Sequence, residues 1–129
     1  MATQTLAGAR ILVVEDEYFL ADEARSALTN AGAVVIGPMA TADEAKAFIR
    51  SGERLDCVLL DVNLRGDLAF DVADLLQAGA VPFAFVTGYD RSALPERFLE
   101  TPSLGKPVQT EQLIKLFNRI AVLPVAESR

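Results

Sequence analysis

The chain has 129 residues, of which 51% are hydrophobic and 23% charged. That balance calls for one domain with a single buried core and argues against disorder. Twelve basic against eighteen acidic residues leave a net charge of −6, so binding to a nucleic-acid backbone is not expected. With no histidine and one cysteine, the sequence excludes a Ser-His-Asp triad, histidine metal ligation, an internal disulfide and any two-cysteine zinc or redox motif. No apolar run approaches the ~18 residues of a membrane span. The start, MATQTLAGAR, lacks the basic and apolar regions of a signal peptide, and the expectation is a cytoplasmic protein with no membrane contact.

Along the chain, apolar runs alternate with helical patterns. Arg10, Ile11, Leu12, Val13 and Val14 form a short apolar run that ends in acids, the mark of a buried strand. Leu20, Ala24, Ala27 and Leu28 then share one helical face, with Gly32 as the stop. A second strand is predicted over residues 33–36, closed by Gly37-Pro38. Thr41 and Glu44 form a capping box, opening a helix that buries Ala45, Phe48 and Ile49 and stops at Gly52. Residues 57–60, CVLL, are a third strand, and Cys57 reads as a small core residue. Leu68, Val72, Leu75 and Leu76 predict a helical face ended by Gly79, with Gly66 before it as a turn residue. Residues 83–86, FAFV, are a fourth strand. From Tyr89 to Gly105 the pattern fails: Pro95 and Pro102 remove backbone donors, so a fourth helix there is short or irregular. Phe98 in that stretch is open between a core anchor and a partner contact. The last helix shows Leu113, Leu116, Phe117 and Ile120, with Thr110 as its N-cap and Pro124 past its end.

Apolar strands alternating with amphipathic helices predict an α/β, doubly wound, five-stranded parallel sheet covered by helices on both faces. In such a sheet, ligands bind beyond the carboxyl ends of the strands. Those ends carry Glu15 and Asp16, then Asp61 followed by Asn63, then Thr87 and Gly88, and finally Lys106 and Pro107. Three carboxylates at one rim repel each other and raise one another's pKa values. A divalent cation removes that cost. Mg²⁺ prefers hard oxygen ligands, so Glu15, Asp16, Asp61 and the backbone carbonyl of Asn63 are the candidate metal ligands. An accessible Asp oxygen is a nucleophile toward a phosphoryl group, and a metal with Lys106 would neutralise the charge on its oxygens. Glu17 reads as a charge favoured by the helix dipole and not as a ligand.

The acids after strand one, Asp61 after CVLL, Thr87-Gly88 after FAFV and Lys106-Pro107 together resemble the receiver domain of two-component response regulators. The resemblance covers residues 9–122 of a single domain spanning 1–129. It implies the strand order 2-1-3-4-5, Asp61 as phosphoacceptor, Mg²⁺ held by Glu15, Asp16 and Asp61, Thr87 as switch hydroxyl and Lys106 as the amine that senses phosphate. It also implies a cis peptide before Pro107. The upstream partner would be a sensor histidine kinase or a histidine phosphotransfer protein, and the downstream partner a protein target. Such a domain modifies and dephosphorylates itself and turns over no other substrate.

One departure concerns the switch. Receivers carry an aromatic residue three positions before the lysine, where this chain has Ser103. Phe85-Val86-Thr87-Gly88-Tyr89 instead resembles the FATGUY subgroup, whose kinases by resemblance belong to the HWE or a related class. Tyr89 is then either a substitute switch aromatic or a surface ring. The chain stops about twenty residues after Lys106-Pro107, so the expectation is a stand-alone domain, monomeric or weakly dimeric, that signals by changed protein binding or serves as a phosphate shuttle or sink. The alternatives are a receiver-like module that binds its partner without phosphorylation and a phosphatase of the haloacid-dehalogenase kind. The latter needs an acid where this chain has Asn63.

Overall fold

Each apolar strand carries side chains alternately to both sides of its sheet, so a strand that is apolar throughout needs cover on both faces. That cover is present in the computed structural model, which describes residues 5–88 and 94–121. Strands β1 (Arg10–Val14), β2 (Val34–Met39), β3 (Cys57–Asp61), β4 (Phe83–Thr87) and β5 (Ser103–Gly105) form one parallel sheet in the order β2-β1-β3-β4-β5. On one face, Ile11, Val13, Cys57, Leu59, Ala84 and Val86 pack with α1 (Tyr18–Asn30) and α4 (Thr110–Ile120). On the other, Leu12, Val14, Val58, Leu60, Phe83 and Phe85 pack with α2 (Ala42–Arg50) and α3 (Phe70–Ala78). Cys57 is fully buried, and that burial pushes its thiol up to about 12. It is therefore a core residue without thiolate chemistry.

Several local expectations are corrected. The second strand does not close at Gly37-Pro38 but continues to Met39, with a register shift opposite Leu12–Val14. Gly37 makes this possible. Its φ is +93°, and a Cβ there would lie 2.8 Å from the Met39 nitrogen and 2.9 Å from the Val13 oxygen. The continued strand ends with the Met39 carbonyl accepting the Glu15 N–H at 2.9 Å. Leu68 is not on a helix. It stands half-exposed in a two-residue antiparallel hairpin that pairs Asn63–Leu64 with Asp67–Leu68, and α3 begins only at Phe70. Thr110 is the first helical residue of α4. The N-cap is Gln109, and its side chain makes no capping bond. The Thr41 hydroxyl does cap α2, accepting from Glu44 N at 3.1 Å, while the Glu44 carboxylate takes the N–H of Ala40.

Between β4 and β5 the described helical structure is a single 3₁₀ turn, Glu96–Phe98, in keeping with the two prolines. Phe98 is a core anchor. It is fully buried, stacks on Phe70 with ring centroids 5.7 Å apart, and meets Phe85 edge-on at 5.4 Å. Arg97 beside it holds Asp74 of α3 through two hydrogen bonds of 2.8 and 3.1 Å. These contacts tie the turn to α3, and Phe98→Ala should cost about 3–5 kcal/mol. Urea unfolding of the two proteins measures that loss; a change below about 1 kcal/mol would contradict the anchoring role.

Candidate functional site

The parallel register brings four strand ends to one edge. Val14 pairs with Leu60, Asp61 with Val86, and Thr87 with Gly105. The residues that close these strands therefore meet: Glu15 and Asp16 after β1, Asp61 as the last residue of β3, Thr87 as the last of β4, and Lys106 just past β5. Glu15 and Asp61 are buried, Asp61 at 2% exposure, and Asp16 is half-buried. One carboxylate oxygen from each of the three lies within 4.8 Å of the others. Lys106 reaches in from the loop, its Nζ donating to Asp61 Oδ2 at 2.8 Å and standing 4.0 Å from Glu15 Oε2. Its backbone N–H donates to the Thr87 carbonyl at 3.1 Å, which joins the ends of β4 and β5. The Lys106-Pro107 peptide is cis, as is Gly37-Pro38.

Backbone amides hold each acid in place. The Glu17 N–H donates to Glu15 Oε2 at 3.0 Å, and the Asn63 N–H to Asp61 Oδ1 at 3.0 Å. The Arg65 N–H, at the tip of the hairpin, donates to Asp16 Oδ2 at 2.9 Å. The Asn63 side chain turns to the hairpin itself, where its Oδ1 accepts the Gly66 N–H at 3.0 Å. Glu17 stays outside the cluster as the N-cap of α1, accepting from Leu20 N at 3.3 Å. Tyr89 lies outside the described residues. Sequence reading missed the hairpin and its link to Asp16. The available signal was Arg65-Gly66, a polar two-residue link ending in glycine.

The electrostatics show the strain of collecting these charges. Burial raises the Glu15 carboxyl to about 8, helped by the hydrogen bond it shares with Asp61 and by the Asp61 charge, and opposed by the Glu17 amide and Lys106. Burial alone would lower Lys106. The hydrogen bond to Asp61 and the charges of Asp61, Glu15 and Asp16 outweigh it and hold the ammonium above its ordinary value. Three oxygen donors at this spacing, short of positive charge, suit a hard divalent cation such as Mg²⁺.

Comparison with known proteins agrees with the geometry. Residues 11–118 match the response regulator receiver domain, and the chain belongs to that family. The chain is 36% identical over 107 residues to the phyllosphere-induced regulator PhyR of Methylorubrum extorquens, covering 77% of this chain and 38% of that protein. It is 30% identical over 116 residues to the sensory transduction protein LytT of Bacillus cereus, covering 85% of this chain and 46% of that one. The chain thus spans less than half the length of these relatives. Among solved structures, SdrG of Sphingomonas melonis superposes with a TM-score of 0.74 at 33% identity, over 84% of this chain and 92% of that one. Among the described residues, no helix is long and apolar enough to cross a membrane.

The raised Glu15 carboxyl fixes a direction for pH dependence. The folded protein keeps this proton up to about 8, whereas the unfolded chain releases it near 4.5. Between those values the unfolded state binds fewer protons, so stability falls as pH rises, and the loss levels off above 8. Urea unfolding in metal-free buffer from pH 5 to 8 should show wild type losing stability relative to Glu15→Gln. A difference that stays constant over this range would contradict the assignment.

Proposed function

We propose that this receiver is controlled by phosphorylation of Asp61, with the phosphoryl group drawn from a phosphohistidine on a sensor histidine kinase or a histidine phosphotransfer protein. The observation that carries the reading is the Asp61 carboxylate, buried at the end of β3, beside Glu15 and Asp16 and paired with Lys106 at 2.8 Å. An Asp61 oxygen attacks phosphorus, and an acyl phosphate bond forms. The bond from phosphorus to the donor nitrogen breaks, and its electron pair stays with the departing imidazole. Lys106 then exchanges its carboxylate contact for a phosphoryl oxygen. The Thr87 hydroxyl, at the end of the neighbouring strand, takes a second one. Glu15, Asp16, Asp61 and the Asn63 carbonyl are the residues to hold Mg²⁺, which when bound supplies the positive charge that the phosphoryl oxygens and the carboxylates require.

The chain does no further chemistry beyond its own phosphorylation and dephosphorylation. Its output is a change in protein binding, or the storage or onward transfer of the phosphoryl group. With a charge of −6, a protein partner suits it better than a nucleic acid. Two sequence features favour the FATGUY subgroup and with it a kinase of the HWE or a related class: the run Phe85-Val86-Thr87-Gly88-Tyr89, and Ser103 on β5 where an aromatic switch would stand. In this reading Tyr89 supplies the switch ring, the protein works in the cytoplasm, and it is a monomer or weak dimer. A complete acidic site argues against a module that works without phosphorylation.

Intact mass after incubation with Mg²⁺ and acetyl phosphate tests the proposal. Wild type should gain one acid-stable, base-labile phosphoryl group, and Asp61→Asn none. An equal gain in both proteins would contradict Asp61 as acceptor.

A further inference from the structure

The hairpin after β3 has a conformation that its sequence does not favour. Leu64 pairs with Asp67, which leaves Arg65 and Gly66 as a two-residue link. Both have positive φ, 52° for Arg65 and 87° for Gly66. This is the type I′ pattern, which matches the twist of paired strands but asks both central residues to be left-handed. Glycine adopts that region freely. Arginine does so only under strain, since its Cβ crowds the carbonyl oxygen. A strained non-glycine residue persists only where its surroundings impose it. Here the surroundings are identifiable. The Asn63 side chain closes the turn by accepting from Gly66 N at 3.0 Å, and the turn aims the Arg65 N–H at Asp16 Oδ2, 2.9 Å away.

Asp16 needs such a tether more than its neighbours do. Glu15 is held by the amide two residues on, and Asp61 likewise by the Asn63 amide. Both of those bonds are local. Asp16 is half-buried, and the amide that holds it comes from 49 residues away. The left-handed turn thus fixes which way this carboxylate faces. A hydrogen bond to one oxygen restricts the rotation of the whole carboxylate and orients the donor set before a cation arrives.

We propose that the Arg65 backbone amide is a positioning group for the cation site: it orients Asp16, and the bond between them tightens when Mg²⁺ binds. The role belongs to the N–H and the turn, not to the guanidinium. The inference rests on the reading of Glu15, Asp16 and Asp61 as a Mg²⁺ site.

The test is Mg²⁺ binding by calorimetry together with amide hydrogen exchange. Arg65→Gly keeps the N–H and relieves the strain, and should bind Mg²⁺ within about two-fold of wild type. Arg65→Pro removes the donor and cannot adopt the φ; its affinity should fall about 10-fold or more, as when other groups that orient metal ligands are lost. So that the test does not depend on the proline variant folding, exchange is also read on wild type: Mg²⁺ should slow exchange at the Arg65 amide several-fold and leave exposed amides remote from the site, such as that of Glu53, unchanged. Wild-type affinity in a folded Arg65→Pro, or an Arg65 amide indifferent to bound Mg²⁺, overturns the positioning role while leaving the metal site in place. Absence of Mg²⁺ binding by wild type overturns both.

Discussion

The structure depends on a concentration of negative charge that its sheet imposes. A parallel sheet covered on both faces brings all its strands to an end at one edge, and there the apolar alternation stops. In this chain three of the residues at that edge are acids, two of them buried, with a single lysine reaching across at 2.8 Å. Burial away from water, with the hydrogen bond to Asp61 and the Asp61 charge adding to it, makes Glu15 hold its proton to about 8. A cation and a phosphoryl group change that balance in opposite directions. Both would act at the same point of the fold, the edge where Glu15, Asp16 and Asp61 meet.

The surrounding structure supports this cluster. Gly37 lets β2 run on to Met39, whose carbonyl fixes the Glu15 backbone. Glu17 caps α1 while its own amide holds the Glu15 side chain. The hairpin after β3 supplies amides to Asp61 at its base and to Asp16 at its tip. On the far side, Lys106 belongs both to the site, through its ammonium, and to the sheet, through its N–H on the Thr87 carbonyl. A change of contact at Nζ is thereby felt at the joined ends of β4 and β5. Ahead of β5, Phe98 in its ring cluster and Arg97 on Asp74 pin the 3₁₀ turn to the sheet and to α3.

Much of this was legible in the sequence, because burial and chemistry are both written in local patterns. Asp61 and Lys106 stand out as polar residues at the ends of hydrophobic segments, and the parallel register does the rest. The failures were also physical. Gly37-Pro38 is ordinarily a break, and only the space around Gly37 shows that the strand passes through it. Leu68 has the spacing of a helical residue but precedes the helix, because the Arg65-Gly66 turn claims the chain first. Thr110 is a good capping residue one position too late. The tether from Arg65 to Asp16 joins residues far apart in the chain through a backbone N–H, which no side-chain pattern encodes.

The central claim is that the buried carboxylates form a site short of positive charge that a divalent cation completes. Thermal unfolding of wild type and Asp61→Asn at increasing Mg²⁺, with ionic strength held constant by NaCl, tests it most directly. A cation that binds only the folded state stabilises it in proportion to RT ln(1 + [Mg²⁺]/Kd). The account predicts a midpoint that climbs with Mg²⁺ in wild type and stays level in Asp61→Asn. Equal response in the two proteins, or no response in wild type, would contradict it.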